Sequence, residues 1–179
     1  MRNVNINKFR TGIVTVLRGM GADIEITDIK EVSNEVIGNI KVRHSKLKCA
    51  DIKGEIIPSL IDELPILFIA CASASGTSRI SGIEELRYKE SDRIMAMENV
   101  LRAIGIDVHS SQDSIEITGG KITGGKVNSY DDHRIAMSFV IAGLISERSL
   151  TIMDTQNIST SFPTFVTILR ELGVEIFEV

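Results

Sequence analysis

One short sequence pattern occurs three times in this chain, and it constrains the fold more than any other feature. It spans residues 16–24, 100–108 and 168–176, and each copy has the pattern of an amphipathic helix end, a glycine and the beginning of a strand. Glycine is favoured just past a helix C-terminus, where the backbone turns left-handed. Leu17, Leu101 and Leu169 are equivalent positions, about 84 and about 68 residues apart. Such repetition predicts one supersecondary module used three times.

The other half of the module also recurs. Residues 59–75 are predicted to form an apolar helix with Asp62 in its opening segment, and a strand over 77–80 follows. About seventy residues later Asp132 opens a second apolar helix, and a strand over 150–153 follows. One complete unit is therefore predicted to run strand, helix, strand, helix, strand, strand.

The repeats predict the organisation of the whole chain. They divide a single lobe, residues 1–179, into a partial repeat at 1–49, a complete repeat at 50–120 and a nearly complete repeat at 121–179. The partial repeat is expected to hold a helix over 9–20 and a hairpin of strands 23–27 and 36–42. We predict an α/β fold in which repeated βαβαββ units pack around buried parallel helices. The runs 66–71 and 139–142 are too apolar for surface helices, so both should lie in the middle of the lobe.

A charged cluster precedes one predicted helix. Lys89, Glu90 and Arg93 lie where an apolar helix over 94–104 begins, and Ser91 or Asp92 is a suitable N-cap. A helix N-terminus carries partial positive charge and free N–H groups, so an anion there would also meet Lys89 and Arg93. A solvated, charged helix cap is the alternative interpretation.

A second cluster favours the binding interpretation. Asp131, Asp132, His133 and Arg134 stand just before an apolar helix over 135–145, in the same relation to that helix. We therefore expect the two clusters to occupy equivalent positions and to contribute to one site.

Composition excludes several classes of function. A formal net charge of −4 argues against binding nucleic acid or a membrane surface, because phosphate backbones require clustered positive charge. No apolar run reaches the roughly 20 residues that span a bilayer, and the start lacks a signal-peptide core, so we predict a cytoplasmic protein. Three histidines and two cysteines lack metal-ligand spacing, so we predict no metal and no other cofactor. Cys49 and Cys71 are interpreted as reduced packing residues.

Four segments together resemble one family, the 3-phosphoshikimate 1-carboxyvinyltransferases or EPSP synthases. They are Asp62-Glu63-Leu64-Pro65, Leu86-Arg87-Tyr88-Lys89-Glu90-Ser91-Asp92-Arg93, Asp132-His133-Arg134-Ile135-Ala136-Met137 and Ser161-Phe162-Pro163. The resemblance covers essentially the whole chain. It implies one lobe of a two-lobed enolpyruvyl transferase of the inside-out α/β barrel type, with the active site in the cleft. The chain resembles the C-terminal portion, so the N-terminal lobe is a missing partner.

The resemblance also implies a reaction. In this family the enolpyruvyl group of phosphoenolpyruvate moves to the 5-hydroxyl of shikimate 3-phosphate, in the chorismate route of aromatic amino acid biosynthesis. Asp62 resembles the carboxylate that takes the hydroxyl proton, and Glu90 resembles the acid that protonates the methylene carbon. This chain alone, with one lobe, is expected to be inactive.

Substrate contacts follow from the same resemblance. Lys89 resembles a contact to the shikimate phosphate, and Arg93 and Arg134 resemble the pair that binds phosphoenolpyruvate. His133 is either a further hydrogen-bond donor to that ligand or a structural cap residue. Asp132 is expected to cap its helix and to orient Arg134. Some members of the family have a lysine where this chain has Thr160, so that phosphoenolpyruvate contact is not carried over.

Two other functions remain open at this point. One is the corresponding lobe of UDP-N-acetylglucosamine 1-carboxyvinyltransferase, which has the same fold and donor, although the segment from Lys89 to Arg93 favours shikimate. The other is a non-catalytic α/β scaffold that retains the motifs. Intact Asp62, Glu90, Arg93 and Arg134 weigh against a scaffold.

Overall fold

The computed structural model describes residues 1–177, and its first unit contains a three-stranded sheet. The elements are β1 (Val4–Asn5), α1 (Gly12–Gly19), β2 (Asp23–Val32) and β3 (Glu35–Arg43). Strands β2 and β3 form the predicted hairpin, and β1 pairs antiparallel with the other edge of β3. Ser33 and Asn34 connect them with φ of 52° and 64°. Two consecutive residues with left-handed backbone conformation form a turn whose twist matches that of the two flanking strands.

The second unit contains the complete set of elements. They are β4 (Asp51–Ile52), α2 (Leu64–Ser73), β5 (Thr77–Ser81), α3 (Arg93–Ala103), β6 (Asp107–Ser110) and β7 (Ser114–Thr118). The strand order is β4-β5-β7-β6, with β4 parallel to β5 and with β7 antiparallel to both of its neighbours. Helix α2 makes the crossover between the two parallel strands.

The third unit repeats the crossover. Its elements are β8 (Gly125–Asn128), α4 (His133–Gly143), β9 (Leu150–Met153), α5 (Asn157–Ser161) and α6 (Phe165–Glu171). Strands β8 and β9 are parallel, as β4 and β5 are. The first two units also share the order β1-β3-β2 and β5-β7-β6. This recurrence confirms the predicted α/β class with repeated βαβαββ units.

The repeated pattern ends its helices as predicted. Gly21 and Gly105 follow α1 and α3 with φ of 98° and 92°, a conformation that a side chain would strain. Each glycine lets the chain reverse from the helix into the next strand, β2 or β6. A glycine after a helix is a local sequence signal, so the chain reversals at Gly21 and Gly105 were predicted correctly from the sequence.

The core is one cluster centred on α2. Leu64, Leu67, Phe68 and Cys71 on this helix have no exposed surface, and α3 and α4 both pack against it. The prediction of a central buried helix is therefore confirmed for α2. Helix α4 differs, because it buries Phe139 while Val140 and Ile141 stay partly exposed. It packs on the core through one face, with α5 alongside it.

The two cysteines have different environments. Cys71 is buried in α2, as expected of a packing residue, whereas Cys49 is exposed, so that interpretation of Cys49 was wrong. Neither is in a disulfide. Burial raises the pKa of the Cys71 thiol to about 11, because the thiolate would lose its hydration.

Within residues 1–177, no helix is long and apolar enough to cross a membrane.

Candidate active site

Three helices begin with a carboxylate near their first turn. Asp92 caps α3, its Oδ1 accepting from the Met95 N–H at 3.0 Å. Asp132 caps α4, its Oδ1 accepting from the Arg134 N–H at 2.9 Å. Asp62 lies in the short 3₁₀ turn just before α2. The caps satisfy N–H groups that a helix start leaves unpaired, so both predicted N-terminal clusters are located correctly.

Both capping carboxylates also bind an arginine through Oδ2. Arg87 Nη1 lies 2.7 Å from Asp92 Oδ2, and Arg93 Nε lies 2.8 Å from Asp132 Oδ2. Asp132 caps its helix as expected and binds Arg134 through the backbone N–H, while its side-chain partner is Arg93. Residues two apart in a helix point to different sides, so the Arg134 side chain leaves the cap while Arg93 approaches from α3.

Arg134 instead reaches the start of α2. Its Nη1 donates to the backbone oxygen of Asp62 at 2.8 Å, and its Nη2 lies 3.9 Å from Asp62 Oδ2. These contacts join helix starts that are 72 residues apart in sequence. Asp62 and Arg134 remain partly exposed, so both can be reached from solvent.

Arg10 also contacts Asp62, a contact that the sequence motifs did not predict. Its Nη2 lies 3.4 Å from Asp62 Oδ2 and 3.7 Å from Glu63 Oε1. The Asp62 carboxylate thus lies between two guanidinium groups, those of Arg10 and Arg134. The only local signal was a positive charge before α1, because the contact depends on how the first unit packs beside α2.

Glu90, Lys89 and His133 surround this network. The Arg93 Nη2 donates to Glu90, whose side chain is 50% exposed. Lys89 lies next to Glu90 in sequence and donates through Nζ to Glu85. His133 is the first residue of α4, and its ring makes no hydrogen bond within residues 1–177.

The structure thus links four of the six predicted site residues through direct contacts, with Asp132 as the connecting residue, and leaves the Lys89 and His133 side chains outside this network. The contacts run from Asp62 through Arg134 and Asp132 to Arg93 and Glu90, all at helix starts. Burial would raise the pKa of Asp132, but the hydrogen bond and ion pair with Arg93, together with hydrogen bonds from the Arg134 N–H and Ser91, outweigh burial and hold that pKa below its usual 3.8. Asp132 is therefore ionised at neutral pH.

A cavity of about 160 Å³ adjoins the Asp62–Arg134 contact. Besides those two residues, its lining includes Ile66 of α2, Met137 of α4 and Phe165 of α6. Its charged lining consists of the Arg134 guanidinium, which can donate to an anion, and the partly exposed Asp62 and Glu63 carboxylates, which can exchange protons. Among residues 1–177, no group of three or more His, Cys, Asp or Glu side chains could hold a metal ion.

This architecture first defines a fold class. The enolpyruvyl transferase NikO from Streptomyces tendae matches 95% of this chain with a TM-score of 0.65, while the match covers 36% of NikO. At 17% sequence identity, that likeness shows the fold alone. The predicted fold of an enolpyruvyl transferase lobe is confirmed.

The chain belongs to the EPSP synthase (3-phosphoshikimate 1-carboxyvinyltransferase) family, whose model matches residues 1–169. The 3-phosphoshikimate 1-carboxyvinyltransferase of Legionella pneumophila (strain Paris) is 46% identical over 178 residues, or 99% of this chain. The Methylococcus capsulatus protein of that name is 47% identical over 176 residues, or 98% of this chain. A solved EPSP synthase from Acinetobacter baumannii has a TM-score of 0.90 and 41% identity, covering 94% of this chain. The resemblance stated from the motifs is confirmed.

Each of these relatives is much longer than the matched region. The chain spans 41% of the Legionella protein, 40% of the Methylococcus protein and 40% of the Acinetobacter structure. It corresponds to one part of each relative.

Proposed function

We propose that this chain supplies one lobe of an EPSP synthase, which transfers the enolpyruvyl group of phosphoenolpyruvate to the 5-hydroxyl of shikimate 3-phosphate. The observation that carries the proposal is the contact network at the starts of α2, α3 and α4. It unites two motif carboxylates with two motif arginines. Family membership supplies the reaction, and the network supplies groups of the chemical types that the reaction requires.

The proposed lobe comprises residues 1–179, with repeat boundaries at 49/50 and 120/121. Both substrates carry several negative charges, whereas the network pairs most of its cations with carboxylates. Further cations and a second wall are therefore required around the bound anions. We assign these to an N-terminal lobe, which is the protein partner in this proposal.

The reaction requires two proton movements in its first half. The substrate hydroxyl loses a proton as its oxygen bonds to C2 of phosphoenolpyruvate, and the methylene carbon gains one. Elimination then removes a proton from that methyl group as phosphate leaves. We assign the hydroxyl proton to Asp62 and the methylene proton to Glu90, both partly exposed. A placed carboxylate contributes about 10²- to 10⁴-fold to such a step.

The binding roles are assigned by chemistry and position. Arg134 and Arg93 bind the carboxylate and phosphate of phosphoenolpyruvate, because a guanidinium stays charged and donates charge-assisted hydrogen bonds to such groups. Lys89 contacts the phosphate of shikimate 3-phosphate. His133, whose ring has no partner within residues 1–177, donates a hydrogen bond to phosphoenolpyruvate.

Substrate choice tests this proposal. Residues 1–179 would replace the corresponding part of the Legionella pneumophila relative, giving a full-length protein called here the chimera. We expect the chimera to release phosphate from phosphoenolpyruvate with shikimate 3-phosphate and not with UDP-N-acetylglucosamine. Asp62→Asn and Glu90→Gln should each reduce the rate by about 10²-fold or more. A folded chimera that accepts only the nucleotide sugar, or neither acceptor, would refute the proposal.

A further inference from the structure

The carboxylate of Asp132 is fully buried and accepts five hydrogen bonds from four residues. Oδ1 accepts from the N–H groups of Arg134 at 2.9 Å and Ile135 at 3.4 Å, and from Arg93 Nη2 at 3.5 Å. Oδ2 accepts from Arg93 Nε at 2.8 Å and from Ser91 Oγ at 3.0 Å. With both oxygens occupied and no exposed surface, Asp132 is not placed to touch a substrate.

Arg93 is almost as deeply buried, with 1% of its side chain exposed. Its Nε binds Asp132 and its Nη2 binds both Glu90 and Asp132, but Nη1 has no partner within residues 1–177. In this part of the chain, no fully buried side-chain nitrogen or oxygen lacks a hydrogen bond. The small exposed part of Arg93 therefore includes Nη1, the nitrogen with donors to spare.

We propose that Asp132 is a positioning residue, which fixes the guanidinium of Arg93 so that Nη1 faces an anionic substrate. The same carboxylate fastens the start of α3 to the start of α4. A long arginine side chain loses conformational freedom when it is ordered, and the Asp132 contact imposes that order before the substrate arrives. The ligand class is a carboxylate or phosphate, and its identification as phosphoenolpyruvate rests on the proposed function.

Asp92 provides a matched control for Asp132. It also caps a helix with Oδ1 and pairs an arginine with Oδ2. Its partner Arg87 differs from Arg93, because its remaining nitrogens donate to the backbone oxygens of Gln112 and Ser111. Arg87 therefore has no donor nitrogen left over for a ligand. Asparagine is a good N-cap, so Asp→Asn at either position keeps a capping acceptor while removing the charge.

Kinetics of the chimera separate positioning from capping. Asp132→Asn should raise KM for phosphoenolpyruvate at least about tenfold, as expected for a weakened charge-assisted contact. KM for shikimate 3-phosphate should stay within about threefold, and Asp92→Asn should leave both constants within about threefold. An unchanged KM in Asp132→Asn would overturn the proposal. An equal rise in both variants would do so as well, because it would indicate a general effect of losing a helix-cap charge.

A second measurement on the 179-residue chain needs no activity. In ¹⁵N NMR spectra, the Arg93 Nε–H signal, assigned by its loss in Arg93→Lys, should exchange slowly with solvent. Exchange should become fast in Asp132→Asn and stay slow in Asp92→Asn. Slow exchange in Asp132→Asn would refute the positioning role.

The wild-type chain supplies a test that does not depend on a variant folding. As the sample is acidified, the chemical shifts of the Arg93 Nε–H group and of the Asp132 side-chain carboxyl carbon should change with the same midpoint pH. Different midpoints would overturn the proposal. If the wild-type chimera folds but is inactive, the proposed function fails. The NMR results then still decide whether Asp132 positions Arg93.

Discussion

Replacement of Gly119 by alanine should destabilise the lobe strongly, because the end of β7 lies directly against the end of α2. A Cβ at Gly119 would stand 1.6 Å from the carbonyl oxygen of Ala74 and 2.7 Å from its carbonyl carbon. Ordinary contacts begin at 3.4 Å, so the backbone would have to separate by about 1.8 Å. The obstacle is backbone, which cannot rotate away as a side chain can.

The cost follows from the contacts that this movement would break. The Gly119 N–H donates to Gly76 O at 3.0 Å, and the Gly120 N–H donates to Ala72 O at 2.9 Å. Each hydrogen bond contributes about 1 kcal/mol, and overpacking costs roughly 1–3 kcal/mol. We therefore expect Gly119→Ala to lower the free energy of unfolding by about 3–5 kcal/mol.

The adjacent glycine provides the control. A Cβ at Gly120 would meet only Ile106 Cδ1, at 3.8 Å, within ordinary contact distance. Gly120→Ala should therefore be neutral or stabilise the lobe by up to about 1 kcal/mol, through a less flexible unfolded chain. Urea unfolding of the 179-residue chain, followed by circular dichroism, compares the two variants. Equal midpoints, or a Gly119→Ala loss below about 1 kcal/mol, would refute this account of the contact between β7 and α2.

Three further predictions concern single side chains. Arg134→Lys in the chimera should weaken phosphoenolpyruvate binding about ten- to hundredfold, or by about 1.5–3 kcal/mol. Titration calorimetry measures this affinity, and an unchanged value would exclude Arg134 from the site. The pKa of Asp132 is lower in the folded than in the unfolded chain. The ionised carboxylate therefore stabilises the folded chain above pH 3.8, and this stabilisation is lost as pH falls through the pKa of the folded state. Urea midpoints measured from neutral pH into the acid range should therefore fall less steeply in Asp132→Asn, and parallel curves would contradict this. At about pH 8, a thiol reagent should modify Cys49 quickly and Cys71 only after unfolding, whereas two fast thiols would contradict the burial of Cys71.

The sequence predicted those parts of the fold that local chemistry determines. The strand pair β2–β3 and strand β9 lie where alternation and turn residues placed them, although β2 extends to Val32. Helix starts were less accurate, because α1 begins at Gly12 and α2 at Leu64 rather than at 9 and 59. Before α1, the Asn7 side chain accepts from the Phe9 N–H. Such side-chain hydrogen bonds compete with helix formation, and apolar periodicity does not detect them.

In the candidate site, too, the sequence predicted the features that depend on nearby residues and not those that depend on distant ones. Charged clusters before α3 and α4 were located correctly, because capping depends on residues close in sequence. The contact partners of these side chains were not predicted, because the contacts join distant parts of the sequence. Arg93 pairs with Asp132 across 39 residues, and Arg10 contacts Asp62 across 52. Those contacts depend on how the units pack together.

The most direct test of the account is whether this lobe requires a second one for catalysis. Reacting atoms must be held about 3–3.5 Å apart with water excluded, and a single wall of a cleft cannot achieve this. The measurement is phosphate release from phosphoenolpyruvate and shikimate 3-phosphate by the 179-residue chain, with and without the separately expressed remaining part of the Legionella pneumophila relative, of which this chain spans 41%. We predict no turnover by the chain alone, with anion binding no tighter than about millimolar, and turnover in the mixture that Asp62→Asn abolishes. Turnover by the chain alone, proportional to its concentration and unaffected by Asp62→Asn, would contradict the account.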